Sequence, residues 1–328
     1  MRFDDRYFDP IVSAFAALAL IASPARAQRP DSLRDTARVA PVIVTATSAP
    51  VARGREPASV TVLDGATLRA QGLTQLGDAL REVPGMAVVQ SGSYGAPTAL
   101  FTRGGQGNYT KILIDGVPVN DPGGTIDLGF LTLDDIDRIE IVRGPASVLY
   151  GSDAVSGVIQ IFTRRSDSAP HGSVDARAGT YGSYDAGISA SGPAGVLRAA
   201  GEAGHHASQG IYQFNSRYRN DVGSASVTAP WTGGELRLSG RFDDGIAHFP
   251  TDFTGAPVDP NAYRTEKRTL LDAALRQRAG VADINVGITS NLADAASIDP
   301  PNGAGDVGSR FLTHTLPCGA ESLRLVKI

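Results

Sequence analysis

The residues whose types could do chemistry are few, and most of them are charged. Arg103, Asp115, Glu140 and Arg143 put two charges of each sign into one small stretch of chain. Buried charges need partners, so these four are expected to pair with one another or with carboxylates elsewhere in the chain. A local arrangement, with Arg103 and Arg143 paired inside their own domain, fits the sequence as well. Such a set holds surfaces together and lets them go; it does not cut or transfer groups. No Ser/His/Asp or paired-carboxylate arrangement stands out, so no enzyme is expected. His205 and His206 are adjacent and would point to opposite faces of a strand. They are therefore expected to be solvated polar residues that cannot easily share a metal. Asp243, Asp244 and Asp252 could chelate calcium in an outer loop, but they lack an alternating ligand pattern, and metal binding stays unassigned. The run Gly104-Gly105-Gln106-Gly107 lacks the spacing of a phosphate loop, and Lys111 does not follow a glycine. The single cysteine, Cys318, rules out an intramolecular disulfide.

Two regions of different grammar must position these residues. Over the whole chain of 328 residues, 42% are hydrophobic and 20% charged, which suits a folded protein. The net charge is −4 and no basic stripe with interleaved aromatics appears, so nucleic acid is not an expected partner. From Val42 to Arg165 the pattern is mixed α and β. Ser59 to Leu63 reads as a strand, after which Asp64 can cap a short helix that Gly72 ends. Thr74 is expected to cap a second helix through Leu76, Ala79, Leu80 and Val83, stopped by Pro84-Gly85. Short strands are expected at Ala87 to Gln90, Ala99 to Arg103, Lys111 to Ile114, Arg138 to Val142 and Gly157 to Thr163. Helical turns are expected at Asp134-Asp135 and at Ala146 to Tyr150.

From about Gly172 the pattern alternates with period two. Leu236, Leu238, Gly240 and Phe242 interleave with Glu235, Arg237, Ser239 and Arg241. Ala282, Ile284, Val286 and Ile288 alternate in the same way with polar neighbours. Strands with one apolar and one charged face fit a barrel with lipid outside and water or a plug inside, and equally a soluble sheet with one wet face. The expected strands are Gly172 to Tyr181, Tyr184 to Ser191, Val196 to His205, Ile211 to Val222, Gly223 to Ala229, Glu235 to Asp243, Thr265 to Arg276, Val281 to Asn291 and Arg310 to Thr315. The polar stretches between Asp243 and Thr265 and from Ala295 to Gly308 read as long outward loops. The N-terminus carries an apolar run, Ile11 to Ala22, followed by Ala25-Arg26-Ala27. A run of about 12 residues is too short for a membrane helix and reads as an export signal cleaved before Gln28.

Four ordered motifs bind these observations together. They are Phe101-Thr102-Arg103-Gly104-Gly105; Ile112-Leu113-Ile114-Asp115-Gly116-Val117-Pro118-Val119-Asn120; Ile139-Glu140-Ile141-Val142-Arg143-Gly144-Pro145, continuing as Val148 to Ala154; and Gly157 to Thr163. In this order and at about these separations they resemble the TonB-dependent outer-membrane receptor family, closest to its vitamin B12 (cobalamin) transporter branch. The resemblance implies an α+β plug domain followed by antiparallel transmembrane strands of a β-barrel. It divides the chain into a signal peptide (1–27), an N-terminal extension (28–53), a plug (54–166) and the first part of a barrel (167–328). Such a barrel has about 22 strands, of which about eight or nine are expected here, so a truncated product is anticipated.

The resemblance also assigns roles. Val42-Ile43-Val44-Thr45-Ala46 looks like the TonB box, an extended segment able to add itself to the sheet edge of TonB, the inner-membrane energy transducer. Arg143 resembles a plug arginine that meets acidic residues of the barrel wall. The loops Ser91 to Pro97 and Asp121 to Thr125 would contact ligand, with Ser93, Tyr94, Gly95, Asp121 and Gly123 the candidate residues. Tyr94 is foremost, since an aromatic at a loop tip supplies contact area at low entropic cost. The ligand implied is a cobalamin or a ferric siderophore, the location the outer membrane and its lipid, and no cofactor is implied. A non-transporting, plug-bearing binding or signalling protein is the alternative.

Overall fold

The computed structural model describes residues 59–166, 169–251, 256–280 and 282–300, together with the strand segments 42–43, 51–52, 309–315 and 318–325. The segment 1–27, expected to be an export signal, lies outside the described residues. Of the TonB-box candidates, Val42 and Ile43 form β1 (Val42–Ile43), which pairs antiparallel with β2 (Val51–Ala52), while residues 44–46 lie outside them.

The plug begins with β3 (Ser59–Asp64) and α1 (Gly65–Ala70). Asp64 caps the helix as expected, accepting from the Thr67 amide at 2.8 Å, and Gly72 turns the chain away at φ 81°. The next helix, α2 (Leu76–Arg81), starts without a side-chain cap. Thr74 is not its cap. The free amide of Leu76 is taken by the Leu131 carbonyl at 2.9 Å, and the Leu133 amide donates to the Thr74 carbonyl at 2.8 Å, so a neighbouring segment replaces the hydroxyl.

Two sheets follow. The hairpin β4 (Met86–Gln90) and β5 (Thr98–Thr102) carries residues 91–97 at its tip. A five-stranded sheet has the order β3-β8-β9-β6-β7, with β6 (Thr110–Ile114), β7 (Val117–Pro118), β8 (Ile136–Arg143) and β9 (Gly157–Thr163). Only β6 and β9 run parallel in it. A helical turn, α3 (Ser147–Tyr150), precedes β9. Leu76, Leu80, Leu100, Ile112, Leu128, Ile139, Ile141, Ile159 and Ile161 fill the space between sheet, hairpin and helices. Asp134-Asp135 forms a turn and no helix, because Asp135 takes the left-handed conformation at φ 58°.

The rest of the described chain is one antiparallel sheet of nine strands. These are β10 (His171–Ala178), β11 (Tyr184–Ala194), β12 (Leu197–Ser208), β13 (Tyr218–Trp231), β14 (Gly234–His248), β15 (Tyr263–Ala279), β16 (Ala282–Ile298), β17 (Ser309–Thr315) and β18 (Cys318–Leu325). Each pairs with the next up to β17, while β18 pairs back onto β16, and the sheet does not close. Where two strands were expected, Ile211 to Val222 and Gly223 to Ala229, there is one. Gly223 keeps full register with Ala203 and Phe242, and residues 209–217 form a loop instead. That loop is folded by Asn215, whose Nδ2 donates to the Ala262 carbonyl at 2.9 Å, and by Ser216, whose hydroxyl donates to the Gln209 carbonyl at 3.0 Å. Beyond the last expected strand, Cys318–Leu325 forms one more.

Short turns join β11 to β12, β13 to β14 and β15 to β16, and the longer connections lie at the other end. The apolar face of the strands is exposed, with Leu238 at 51%, Leu271 at 50% and Ile288 at 55%. Their charged face is buried against the plug: Arg237, Arg241, Asp243, Arg264, Glu266 and Arg268 are all buried. This is the arrangement of a barrel wall, lipid-facing outside and polar inside.

Candidate functional site

Two features stand out, a chamber at the long-loop end and a polar seam below it. The chamber is a half-open recess of about 1000 Å³ between the tip of the β4–β5 hairpin and the wall. Ser91, Ser93 and Tyr94 line it from the plug, with Tyr212, His248, Phe249 and Arg264 from the wall and its loops. The hairpin tip is tightly built. The Ser91 amide donates to the Pro97 carbonyl at 3.0 Å, and Gln90 Nε2 to the Ser93 carbonyl at 2.8 Å. Gly95 has φ 75°, and a Cβ on it would lie 2.5 Å from Ala247 Cβ and 2.6 Å from Tyr218 Cδ2. Only glycine lets this loop approach the wall so closely. Tyr94 sits beside Tyr218, ring centroids 5.9 Å apart, and is 45% exposed. Burial, then the charges of Asp78 and Asp185, push its hydroxyl above the usual value.

The seam joins plug acids and carbonyls to basic groups of the wall. Asp115 and Gly116 form the two-residue turn between β6 and β7, with φ 48° and 89°, a conformation that Asp-Gly favours. That turn aims the Asp115 carboxylate at β14, where Arg237 Nη2 donates to it at 3.0 Å. The Thr163 amide also donates to Asp115, at 3.1 Å. Arg241 donates to the Asp134 carbonyl at 2.8 Å and to Thr132 Oγ1 at 3.0 Å while paired with Asp243. Arg268 donates to the Val119 carbonyl at 2.9 Å, and Arg264 pairs with Asp127 at 2.5 Å. Asp135 accepts from Ser224, and Arg164 of the plug pairs with Glu202 of the wall.

The histidines correct the sequence expectation. His206 is buried, 5% exposed, between Asp134 of the plug at 2.8 Å and Asp185 of β11 at 2.7 Å. His205 points to the other face and meets Asp221 at 2.5 Å. Neither is a solvated bystander, because the face that His206 occupies is covered by the plug. Burial would raise the Asp134 carboxyl, but its hydrogen bond and charge contact with His206 outweigh that, helped by Thr132 and Arg241, and hold it at about 2.

The candidate residues therefore separate. Ser93 and Tyr94 line the chamber, whereas Gly95 does not: it is buried against Ala247 and Tyr218. Asp121 and Gly123 do not line it; Asp121 lies 3.8 Å from Arg268, and burial raises its carboxyl despite that arginine. Of the four plug charges, Asp115 reaches the wall. Glu140 is fully buried against Arg138 at 2.8 Å. Arg143 is held inside the plug, by the Pro84 carbonyl and by Thr61 Oγ1 at 2.7 Å, because β3 pairs alongside the end of β8. Arg103 is exposed at φ 51°, with its amide donating to the Gly85 carbonyl at 2.8 Å. Asp243 and Asp244 face opposite sides of β14, paired with Arg241 and Lys267, so they share no cation; Asp252 lies outside the described residues. Among the described residues no cluster of His, Cys, Asp and Glu could hold a metal. The wall residues Arg264, Glu266 and Arg268 were not singled out from sequence, although three charges at every second position on one strand were there to be read.

A small α+β domain is thus seated by ion pairs on the polar face of an outwardly apolar antiparallel sheet, the arrangement of a plug against a barrel wall. Residues 53–158 match the family described as TonB-dependent Receptor Plug Domain. These residues, about a third of the chain, are similar to the plug of TonB-dependent receptors. The chain is 32% identical over 209 residues to the vitamin B12 transporter BtuB of Vibrio vulnificus, a match covering 58% of this chain and 34% of that relative. The fold is similar to the pyoverdine outer membrane receptor of Pseudomonas aeruginosa, with a TM-score of 0.70 and 18% identity over 86% of this chain and 45% of that one. It is similar also to the ferric yersiniabactin uptake receptor of Yersinia pestis, with a TM-score of 0.63 and 19% identity over 77% of this chain and 44% of that one. The chain thus spans about a third to a half of the length of these relatives.

Proposed function

We propose that this chain is the plug and first wall strands of a receptor that takes up a scarce, bulky ligand, a cobalamin or a ferric siderophore, across the outer membrane. The observation that carries this reading is the chamber between the plug tip and the long-loop end of the wall, directly above a seam of polar contacts. Ligand enters the chamber and contacts Ser93 and Tyr94, on a tip that Gly95 seats against the wall. The seam holds the plug by hydrogen bonds and ion pairs, which can be exchanged one for another without exposing apolar core. The segment Val42 to Ala46 is the part offered to TonB, as a strand added to its sheet edge. Residues 1–27 direct export.

The test uses the chain in detergent micelles, carrying Val44→Cys in a Cys318→Ser background. Cyanocobalamin and ferric enterobactin are titrated separately, and cross-linking of position 44 to the periplasmic domain of TonB is followed. Saturable binding of one probe, with cross-linking that rises as it binds, is the expected result. Binding of neither probe, or cross-linking indifferent to a bound probe, refutes the reading.

A further inference from the structure

Within the chamber lining, one pair of residues belongs at once to the chamber and to the seam. Asp127 is the only acid and Arg264 the only Arg or Lys among the described lining residues. They pair with each other across the boundary between plug and wall at 2.5 Å. Asp127 does more than neutralise the arginine. Its Oδ1 accepts from the Thr98 amide at 2.9 Å and from the Gly129 amide at 2.8 Å. Thr98 is the first residue of β5, immediately after the chamber-lining tip 91–97, and its hydroxyl donates to the Ala96 carbonyl at 2.8 Å. Asp127 therefore clamps the root of the hairpin tip while holding the wall.

The unspent bonding capacity of the pair lies on the cation. Asp127 has Oδ1 engaged by two amides and Oδ2 by Arg264. Arg264 Nη2 holds Asp127, with Glu266 further off at 3.9 Å, while Nη1 has no hydrogen-bond partner among the described residues. The guanidinium lies over the Phe130 ring, 4.9 Å from its centroid, a contact that keeps it in place without consuming a donor. A guanidinium that lines a chamber and holds one buried nitrogen, Nη1, without an acceptor is suited to a planar or multidentate anion.

We propose that Arg264 is the chamber's contact for an anionic group on the ligand, and that Asp127 is the positioning residue that reports this contact to the plug. An arriving carboxylate, catecholate or phosphate oxygen competes with Asp127 for Arg264. Asp127 then loses its anchor on the wall, and its hold on the Thr98 and Gly129 amides loosens. This inference rests on the chamber being the ligand site.

The experiment uses the chain in detergent micelles with ferric enterobactin as the anionic probe and cyanocobalamin as the probe without net charge. Asp127→Asn keeps the acceptor oxygen but removes the competing charge; Arg264→Gln removes the contact. Asp127→Asn is expected to tighten ferric enterobactin severalfold, and Arg264→Gln to weaken it roughly tenfold, with cyanocobalamin shifted by less than about threefold in both. In the unsubstituted chain the anionic probe is expected to speed hydrogen exchange at the Thr98 and Gly129 amides, a readout that an arginine of purely structural role would not move. Should Arg264→Gln fail to fold, Asp127→Asn and the exchange measurement still decide the matter. Binding that is indifferent to both substitutions, or exchange at Thr98 and Gly129 that the probe leaves unchanged, overturns the proposal while the chamber reading stands. Binding of neither probe by the unsubstituted chain removes both.

Discussion

Breaking the Asp115–Arg237 contact from its two sides should give unequal results. Both side chains are 7% exposed, so the pair is dry, and an ion left behind there is poorly compensated. Asp115→Ala leaves the Arg237 guanidinium with Thr163 Oγ1, at 3.0 Å, as its remaining acceptor, and leaves the Thr163 amide without its own. Removing one partner of a buried pair costs about 3–5 kcal/mol, a factor of roughly a hundred to several thousand in the docked population. Arg237→Met removes the cation and replaces it with apolar volume, and the Asp115 carboxylate keeps the Thr163 amide and hydroxyl as donors. That change should cost only about 1–2 kcal/mol. The double variant should be less damaging than the sum, since the orphaned guanidinium is absent. Native-state hydrogen exchange in micelles, comparing amides of β6 and β9 with those of β14 and β15, reads these values as loss of plug protection. A cost for Arg237→Met equal to that for Asp115→Ala would refute the reasoning, as would Asp115→Ala costing under about 1 kcal/mol.

Other outcomes follow from single sites. Asn120 is buried, and its amide group accepts from the Ile112 amide at 2.7 Å and donates to the Thr110 and Gly124 carbonyls, so Asn120→Ala should destabilise the plug by about 2–4 kcal/mol in urea titrations. Gly95→Ala forces a Cβ into Ala247 and Tyr218 and should displace the hairpin tip, weakening whichever probe binds while leaving β6 and β9 protection intact. Asp134 is held at about 2 against an ordinary 3.8, so its contribution is complete above pH 4 and disappears as pH falls through 2. That contribution is about 2 kcal/mol, and acid titration of plug protection should lose this step in Asp134→Asn. Asp64→Ala removes the cap on Thr67 and should cost about 1 kcal/mol, seen as faster exchange confined to α1.

What could be read from the residues depended on how far apart the partners lie in the chain. The Asp64 cap joins residues three apart and the Asp115-Gly116 turn joins neighbours, so local chemistry exposed both. The wall was legible because alternation such as Leu236-Arg237-Leu238 records both faces of a strand at once. His206 was misjudged because the residue that buries it, Asp134, lies 72 positions away, and nothing near His206 announces a covering domain. Thr74 failed as a cap for a similar reason, since the Leu131 carbonyl arrived from a distant segment. Gly223 was read as a strand break, although a glycine within a wide sheet can simply keep register. For Arg143 the pairing of β3 with β8 brings Thr61 and the Pro84 carbonyl to the guanidinium, partners that lie 82 and 59 positions away and could not be read from its own motif.

The order of the seam along the wall adds a constraint that no single contact supplies. β14 and β15 run side by side, with Ala247 opposite Arg264, Asp243 opposite Arg268, Arg241 opposite Leu270 and Arg237 opposite Ala274. Descending from the chamber, the wall thus offers Arg264 to Asp127, Arg268 to the Val119 carbonyl, Arg241 to the Asp134 carbonyl and Arg237 to Asp115. At about 3.3 Å per residue, the step from Arg264 to Ala274 covers roughly 33 Å along the strand, which at a tilt of about 40° is roughly 25 Å of depth, the height of an outer-membrane barrel's apolar band. Over that depth the opposite face presents Leu236, Leu238, Phe242, Leu271 and Leu275. A one-residue slip of either strand would turn these apolar side chains onto the plug and the arginines toward lipid. The register that suits lipid is therefore the register that seats the plug. A charge column spaced along the strands also means that docking is shared among several rungs, so loss of the Asp127–Arg264 rung at the top would leave the rungs below in place.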